Sequence, residues 1–188
     1  SYPSGFAGGH VPDQMPESYN QGQGLRMTRI ELLPDTAEKY FLCLREEADG
    51  KFTDITGTLA SEKGKAGKYC LFTKTYNGKS DWYGGFPYVD LLLEGVTQKF
   101  IEVTMTGYEK YAGEEFGKTI PGTFTDEPQI RSSGGIRWTP DLFNVFRAKW
   151  GYDLQTQLPS LFEEVGDWKR VRHNYTQTLL QMFIDRWA

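Results

Sequence analysis

The chain is poor in the residues that usually announce a mechanism. It holds two cysteines and two histidines in 188 residues. Two cysteines cannot build a disulfide framework. Cys43 and Cys70 both sit in apolar, strand-like runs (YFLCL and KYCLF), which allows either two buried free thiols or one cross-strand bridge. There is no HExxH, no Cys-x-x-Cys and no His-rich tract, which argues against a zinc site. With only His10 and His173 to choose from, a Ser-His-Asp triad has few options, and His173 reads as a surface or helix-packing residue. No GxGxxG or Walker motif appears, so no phosphate cradle is indicated. Nor is there an apolar run of about 18 residues, so no membrane span is expected. Lys and Arg never cluster and the net charge is −4, which makes nucleic acid and anionic membrane poor partners. The chain lacks a charged and apolar leader and an initiating Met. It reads as a processed product or an excised piece, with any targeting segment already removed.

Aromatic residues, by contrast, are abundant at 15%. Several lie in Gly-rich stretches, where flat rings often serve as ligand platforms, a composition that suits carbohydrate binding. Charged residues at 24% and hydrophobic residues at 38% fit a globular fold with a real core, not a disordered tail, a collagen-like chain or a coiled coil.

The chain reads in three parts. Residues 1–24 are loop-like and rich in Gly and Pro. Residues 25–76 carry four β-rich runs (LRMTRIELL, KYFLCLREE, KFTDITGTL and GKYCLFTKTY), expected as an antiparallel meander or small sheet inserted into the fold, with Ala48-Asp49-Gly50 as a hairpin-type turn. Residues 77–188 open with a Gly/aromatic loop and then turn helical. Leu92, Val96, Phe100, Val103, Gly107 and Tyr111 step by four, four, three, four and four, one face of an amphipathic helix ending at Ala112-Gly113. Thr119–Thr125 reads as a short strand. Thr139 with Pro140 opens a helix that Gly151 closes, a short helix falls around Leu158–Phe162, and Asp167 caps the last helix. The sequon at Asn174 falls mid-helix and reads as chance. A strand between amphipathic helices is part of an α/β layer. A closed (β/α)8 barrel takes about 250 residues, so the choice lies between a small α+β domain and a partial barrel carrying an inserted antiparallel sheet.

The sharpest chemical signal is Phe124-Thr125-Asp126-Glu127-Pro128. In a strand, Asp126 and Glu127 point to opposite faces, and the Pro ends the ladder. That places the acids at a strand's C-terminal end, where α/β folds carry their sites. A carboxyl whose surroundings raise its pKa can act there as a general acid. The plainer alternative is a solvated strand-end acid or a helix cap. The second signal is the opening loop PSGFAGGHVPD, in which His10 and Asp13 could hydrogen-bond sugar hydroxyls, or His10 could make one structural bond. The third is Asp81-Trp82-Tyr83-Gly84-Gly85-Phe86, an aromatic platform or a loop filling its own apolar gap.

The stretch from Pro87-Tyr88-Val89-Asp90-Leu91-Leu92 through Phe100 and Tyr108 to FGKTIPGTFTDEP resembles large bacterial polysaccharide-degrading glycosidases. The similarity is to the α-L-rhamnosidase-like group of glycoside hydrolase family 106, and it extends to Trp138-Thr139-Pro140, Gly151-Tyr152-Asp153-Leu154, Leu158-Pro159 and the opening PSGFAGGHVPD. The resemblance implies a (β/α)8 catalytic domain with the strand before Glu127 on the inside. It implies Glu127 as general acid/base with Asp126 beside it, in the position that related glycosidases fill with Asn. Combined with the opening loop and the aromatic segments, this gives an expected sugar site lined by His10, Asp13, Asp81, Trp82 and Trp138. The resemblance implies calcium at most as cofactor, with no ligand set visible, and a secreted, periplasmic or outer-membrane-attached parent. Such enzymes are much longer, so the chain reads as a segment covering about the first half of the barrel. That half would be inactive alone, because the second carboxylate lies on a later strand. It would self-associate through open strand edges. Two rivals remain: a non-catalytic carbohydrate-binding module using Trp82, Tyr83 and Trp138, and an interaction domain whose acids are only caps.

Overall fold

A computed structural model describes residues 10–19, 23–124 and 128–187. The elements are α1 (His10–Gln14), β1 (Gly24–Leu32), β2 (Leu42–Glu46), β3 (Phe52–Asp54), α2 (Leu59–Glu62), β4 (Ala66–Thr75), α3 (Val96–Ala112), β5 (Ile136–Arg137), α4 (Leu142–Trp150), α5 (Pro159–Phe162) and α6 (Trp168–Trp187), with short 3-10 turns between them. The chain divides into two compact units, one of residues 1–23, 76–132 and 182–188, the other of residues 24–75 and 133–181.

The second unit holds the sheet. All four β-rich runs form strands, in the order β3-β2-β4-β1-β5. Ala48-Asp49-Gly50 closes the β2–β3 hairpin with Gly50 at φ 77°, a conformation that favours glycine. The sheet is antiparallel as expected, but it is not a meander: β4 lies between β1 and β2 and pairs with both. Tyr69, Cys70, Leu71 and Phe72 are buried in succession, so the middle of β4 is covered on both faces. One face packs Tyr69, Leu71 and Cys43 against Leu33, Ala37, Ile55 and Leu59. On the other, Phe72 meets Phe162 of α5, with ring centroids 5.9 Å apart.

The pairings Cys43↔Leu71 and Leu44↔Cys70 put the two thiols on opposite faces of the sheet. Both are free and buried, and burial pushes each thiol up to about 11. That decides between free thiols and a bridge.

Helix α4 ends where expected, at Gly151 with φ 74°, but it begins two residues later than Thr139-Pro140 suggests: Asp141 is its N-cap, and the Leu142 amide donates to the Thr139 carbonyl at 3.1 Å. Phe146 and Leu142 supply its buried side. On α6, Val171 and Leu179 are buried while His173 is exposed. Asn174 is buried and donates to the Tyr152 hydroxyl at 3.1 Å, which gives the sequon's asparagine a packing role.

The partial (β/α)8 barrel is not what forms. A barrel segment requires parallel strands alternating with helices. Among the described residues every strand ladder is antiparallel. The described residues of 77–188 contribute only β5, two residues long and antiparallel to β1. No strand forms over the described part of Thr119–Thr125, residues 119–124, where a closed turn ends at Ile120; Thr125 lies outside the described residues. Ile120 N–H donates to the Glu115 carbonyl at 3.0 Å, and Gly117 N–H to the Ile120 carbonyl at 2.9 Å. Pro121 lacks a donor and Gly122 a side chain, so the apolar residues of TIPGTF cannot propagate a ladder. The fold is mixed α/β, with one five-stranded antiparallel sheet and six α-helices among the described residues.

The first unit is built on an apolar cluster of Val11, Tyr88, Val89, Leu91, Val96 and Phe100. Helix α3 starts one turn later than the spacing predicts, after Gly95 at φ 84°, which leaves Leu92 in the preceding turn. Its first half is buried through Val96 and Phe100, whereas Tyr108 and Tyr111 of the same helix face solvent. Thr97 Oγ1 donates to the Arg186 carbonyl at 2.5 Å, and Arg186 Nη1 donates to the Leu92 carbonyl, fastening the end of α6 to the start of α3. Among the described residues no helix is long and apolar enough to cross a membrane.

Candidate functional site

The apolar cluster of the first unit holds two candidate segments at once. Val11 of α1 lies within it, and Tyr83 of the 3-10 turn Asp81–Tyr83 packs against it. Burial of Val11 and Pro12 anchors α1 and leaves His10 and Asp13, on either side of them, exposed. The Asp81–Tyr83 turn is fixed at both ends. Ser80 Oγ accepts from the Trp82 amide at 3.2 Å, and the Ser80 carbonyl accepts from the Gly85 amide at 3.0 Å. Gly84 and Gly85 both take positive φ, at 66° and 86°, which lets the chain reverse there. Tyr83 then points inward, edge-on to Tyr88 with centroids 5.3 Å apart. Its neighbour Trp82 is left 78% exposed, beside an exposed Asp81. An indole held out by a rigid turn, with no ring partner among the described residues, is a binding platform in geometry.

Asp126 and Glu127 lie outside the described residues. The chain just past them is fastened to the same unit: the Gln129 amide donates to the Tyr88 hydroxyl at 3.3 Å. Phe124, before the pair, is 83% exposed.

Trp138 belongs to the second unit. It is only 4% exposed, covered edge-on by Phe41 at 5.0 Å and by the Lys74 ammonium 4.2 Å from its ring centroid. Lys74 is also 4.4 Å from the Phe41 ring centroid, and burial pushes its amine below the usual lysine range. His10, Asp13, Asp81 and Trp82 therefore share one unit, and Trp138 stands in the other.

One residue of the first unit is not singled out by any motif. Asp90 is 0% exposed, and its Oδ1 accepts from the Leu92 amide at 2.9 Å. The signal for it is its setting: an acid embedded in the apolar run PYVDLL is either partnered or functional. Among the described residues no group of three or more His, Cys, Asp or Glu is arranged to hold a metal ion.

No family model matches the chain, and no curated protein or solved structure matches it either.

Proposed function

We propose that the chain is the sugar-binding part of a glycoside hydrolase acting on polysaccharides, α-L-rhamnosides among them, with Glu127 as general acid/base and Asp126 beside it to orient or bind. The observation that carries this reading is the exposed Trp82 platform, set by a rigid turn on the same cluster that presents His10 and Asp13. A pyranose ring offers one apolar face and a rim of hydroxyls. An indole takes the first, and Asp81, Asp13 and His10 are hydrogen-bonding groups of the kind that take the second. The resemblance of FGKTIPGTFTDEP to α-L-rhamnosidase-like enzymes supplies the chemistry. Glycosidic cleavage takes a pair of carboxyl groups. Asp90 adds a buried carboxyl to the unit, two residues from the tyrosine that binds the chain just after Glu127.

A second reading is favoured by the exposure of Trp82: a non-catalytic carbohydrate-binding module needs the platform and not the acids. Glu127→Gln in the full-length parent separates the two. An enzyme keeps sugar binding and loses hydrolysis of aryl glycosides, whereas a binding module shows no hydrolysis before or after the change. Loss of binding in Trp82→Ala is expected on both readings, and unchanged binding there counts against both.

A further inference from the structure

The sheet of the second unit has one edge that its own strands leave open. β5 covers β1 only at Gly24 and Leu25, so from Arg26 to Leu32 the outer side of β1 has no strand beside it among the described residues. In an antiparallel strand, alternate residues turn their N–H and C=O groups to the same side. No backbone group of Arg26–Leu32 bonds on the outer side to another described residue. A free edge of this kind is a template for another strand. Charged side chains normally guard it, and β1 carries Arg26, Arg29 and Glu31, all exposed. Their order decides which strands they repel. Thr28, Ile30 and Leu32 share one face of β1, and Arg29 and Glu31 share the other. A second β1 laid antiparallel about a two-fold axis at Ile30 brings like faces together. Ile30 then meets Ile30, each Arg29 meets a Glu31, and each Leu32 meets a Thr28. Opposite charges and apolar side chains facing one another across strands are stabilising. The neighbouring positions for the axis are poorer. At Arg29 it would oppose two guanidinium groups, and at Thr28 it would set Arg29 opposite Met27. The register at Ile30 also gives Leu32, 58% exposed, a neighbour. Arg29 has donors to spare: Nε and Nη2 donate to Glu163 and Nη1 to Glu46, which uses three of its five N–H groups. Glu31 makes no ion pair among the described residues.

We propose that the open edge of β1 is a homodimer interface: two copies of the chain pair antiparallel over Thr28–Leu32, about an axis at Ile30, and their two sheets become one. The occupant is a second copy because the charge pattern of this edge is complementary to itself. The parallel strand edges expected of a half barrel do not form among the described residues, and the edge that is open belongs to an antiparallel sheet. The overlap is short, Thr28–Leu32 in each chain, and well below a standard interface. The dimer is therefore weak, with a Kd on the order of 10–100 µM. The interface is independent of the carbohydrate reading.

The test is sedimentation equilibrium of the whole chain from low to high micromolar concentration, for wild type and Glu31→Arg. Wild type should pass from monomer to dimer across that range. Glu31→Arg sets like charges opposite Arg29 at both ends of the overlap and should weaken the dimer about tenfold or more. The register is tested by cysteine cross-linking with oxidised glutathione, using Thr28→Cys and Leu32→Cys chains. Residues 28, 31 and 32 are exposed, so all three variants should keep the wild-type melting temperature. The native Cys43 and Cys70 are buried and stay out of the reaction. Each cysteine variant alone should give little disulfide-linked dimer, and an equal mixture of the two should give it readily, because residue 28 of one copy faces residue 32 of the other. A wild-type chain that is monomeric at every concentration overturns the proposal. So does a dimer that Glu31→Arg leaves intact, which would use another face. Cross-linking of either variant with itself as fast as in the mixture overturns the register at Ile30.

Discussion

Removing the Tyr175 hydroxyl tests how β5 is held. This strand is two residues long and pairs with β1 only at Gly24 and Leu25. The Tyr175 hydroxyl donates to the Arg137 carbonyl at 2.5 Å, tying α6 to the sheet's edge. Tyr175→Phe deletes one oxygen and changes no packing. The cost is one hydrogen bond plus a carbonyl left without this donor, about 1–2 kcal/mol. At a urea m-value of roughly 1–3 kcal/mol/M, the midpoint should fall by about 0.5–1 M. The melting temperature should drop by roughly 3–6 °C. Burial pushes the phenol well above its ordinary value of 10.0. A group whose folded pKa is raised contributes stability that is present below its unfolded pKa and lost as pH rises. The wild-type advantage over Tyr175→Phe should therefore narrow above about pH 10. An unchanged midpoint at pH 7, or a deficit that stays constant through pH 11, would refute the reasoning.

Two further outcomes concern the sheet. Cys43 and Cys70 should resist an aromatic disulfide reagent in the native state at pH 8, because both are buried with thiols near 11. Both should react once the chain is unfolded in denaturant, and recovery of fewer than two thiols under reducing-agent-free conditions would contradict the opposite-face placement. Gly135→Ala should cost about 3 kcal/mol or more, since a Cβ there would sit 2.0 Å from the Leu25 carbonyl oxygen at a φ of +64°. A denaturation midpoint equal to wild type would show that β5 does not approach β1 so closely.

Much of the second unit is legible in the chain because its signals are local. Alternating β-branched and aromatic residues mark β1 to β4, Asp49-Gly50 marks the hairpin, and Gly151 stops α4 where expected. Strand order is not legible, because nothing in GKYCLFTKTY says that β4 will sit between β1 and β2. The barrel expectation fails at Thr119–Thr125, where apolar residues suggest a strand but Pro121 and Gly122 remove the means of pairing it. At the candidate site, Trp82 stands out as an aromatic in a Gly-rich loop. The burial of Trp138 does not, since its cover comes from Phe41 and Lys74, distant in sequence. Asp90 is hidden for the opposite reason: its apolar neighbours make the run look like plain core.

The central claim is that the face presenting Trp82 binds sugar. The direct measurement is a calorimetric titration of the chain with oligosaccharides containing L-rhamnose, alongside Trp82→Ala. The indole is 78% exposed, so the substitution should leave the melting temperature unchanged. The account predicts saturable binding by the wild-type chain and a loss of about tenfold or more in Trp82→Ala, the scale of one ring stacked against a sugar. Wild-type binding that Trp82→Ala leaves intact, or no binding to any oligosaccharide by a fully folded chain, would contradict it.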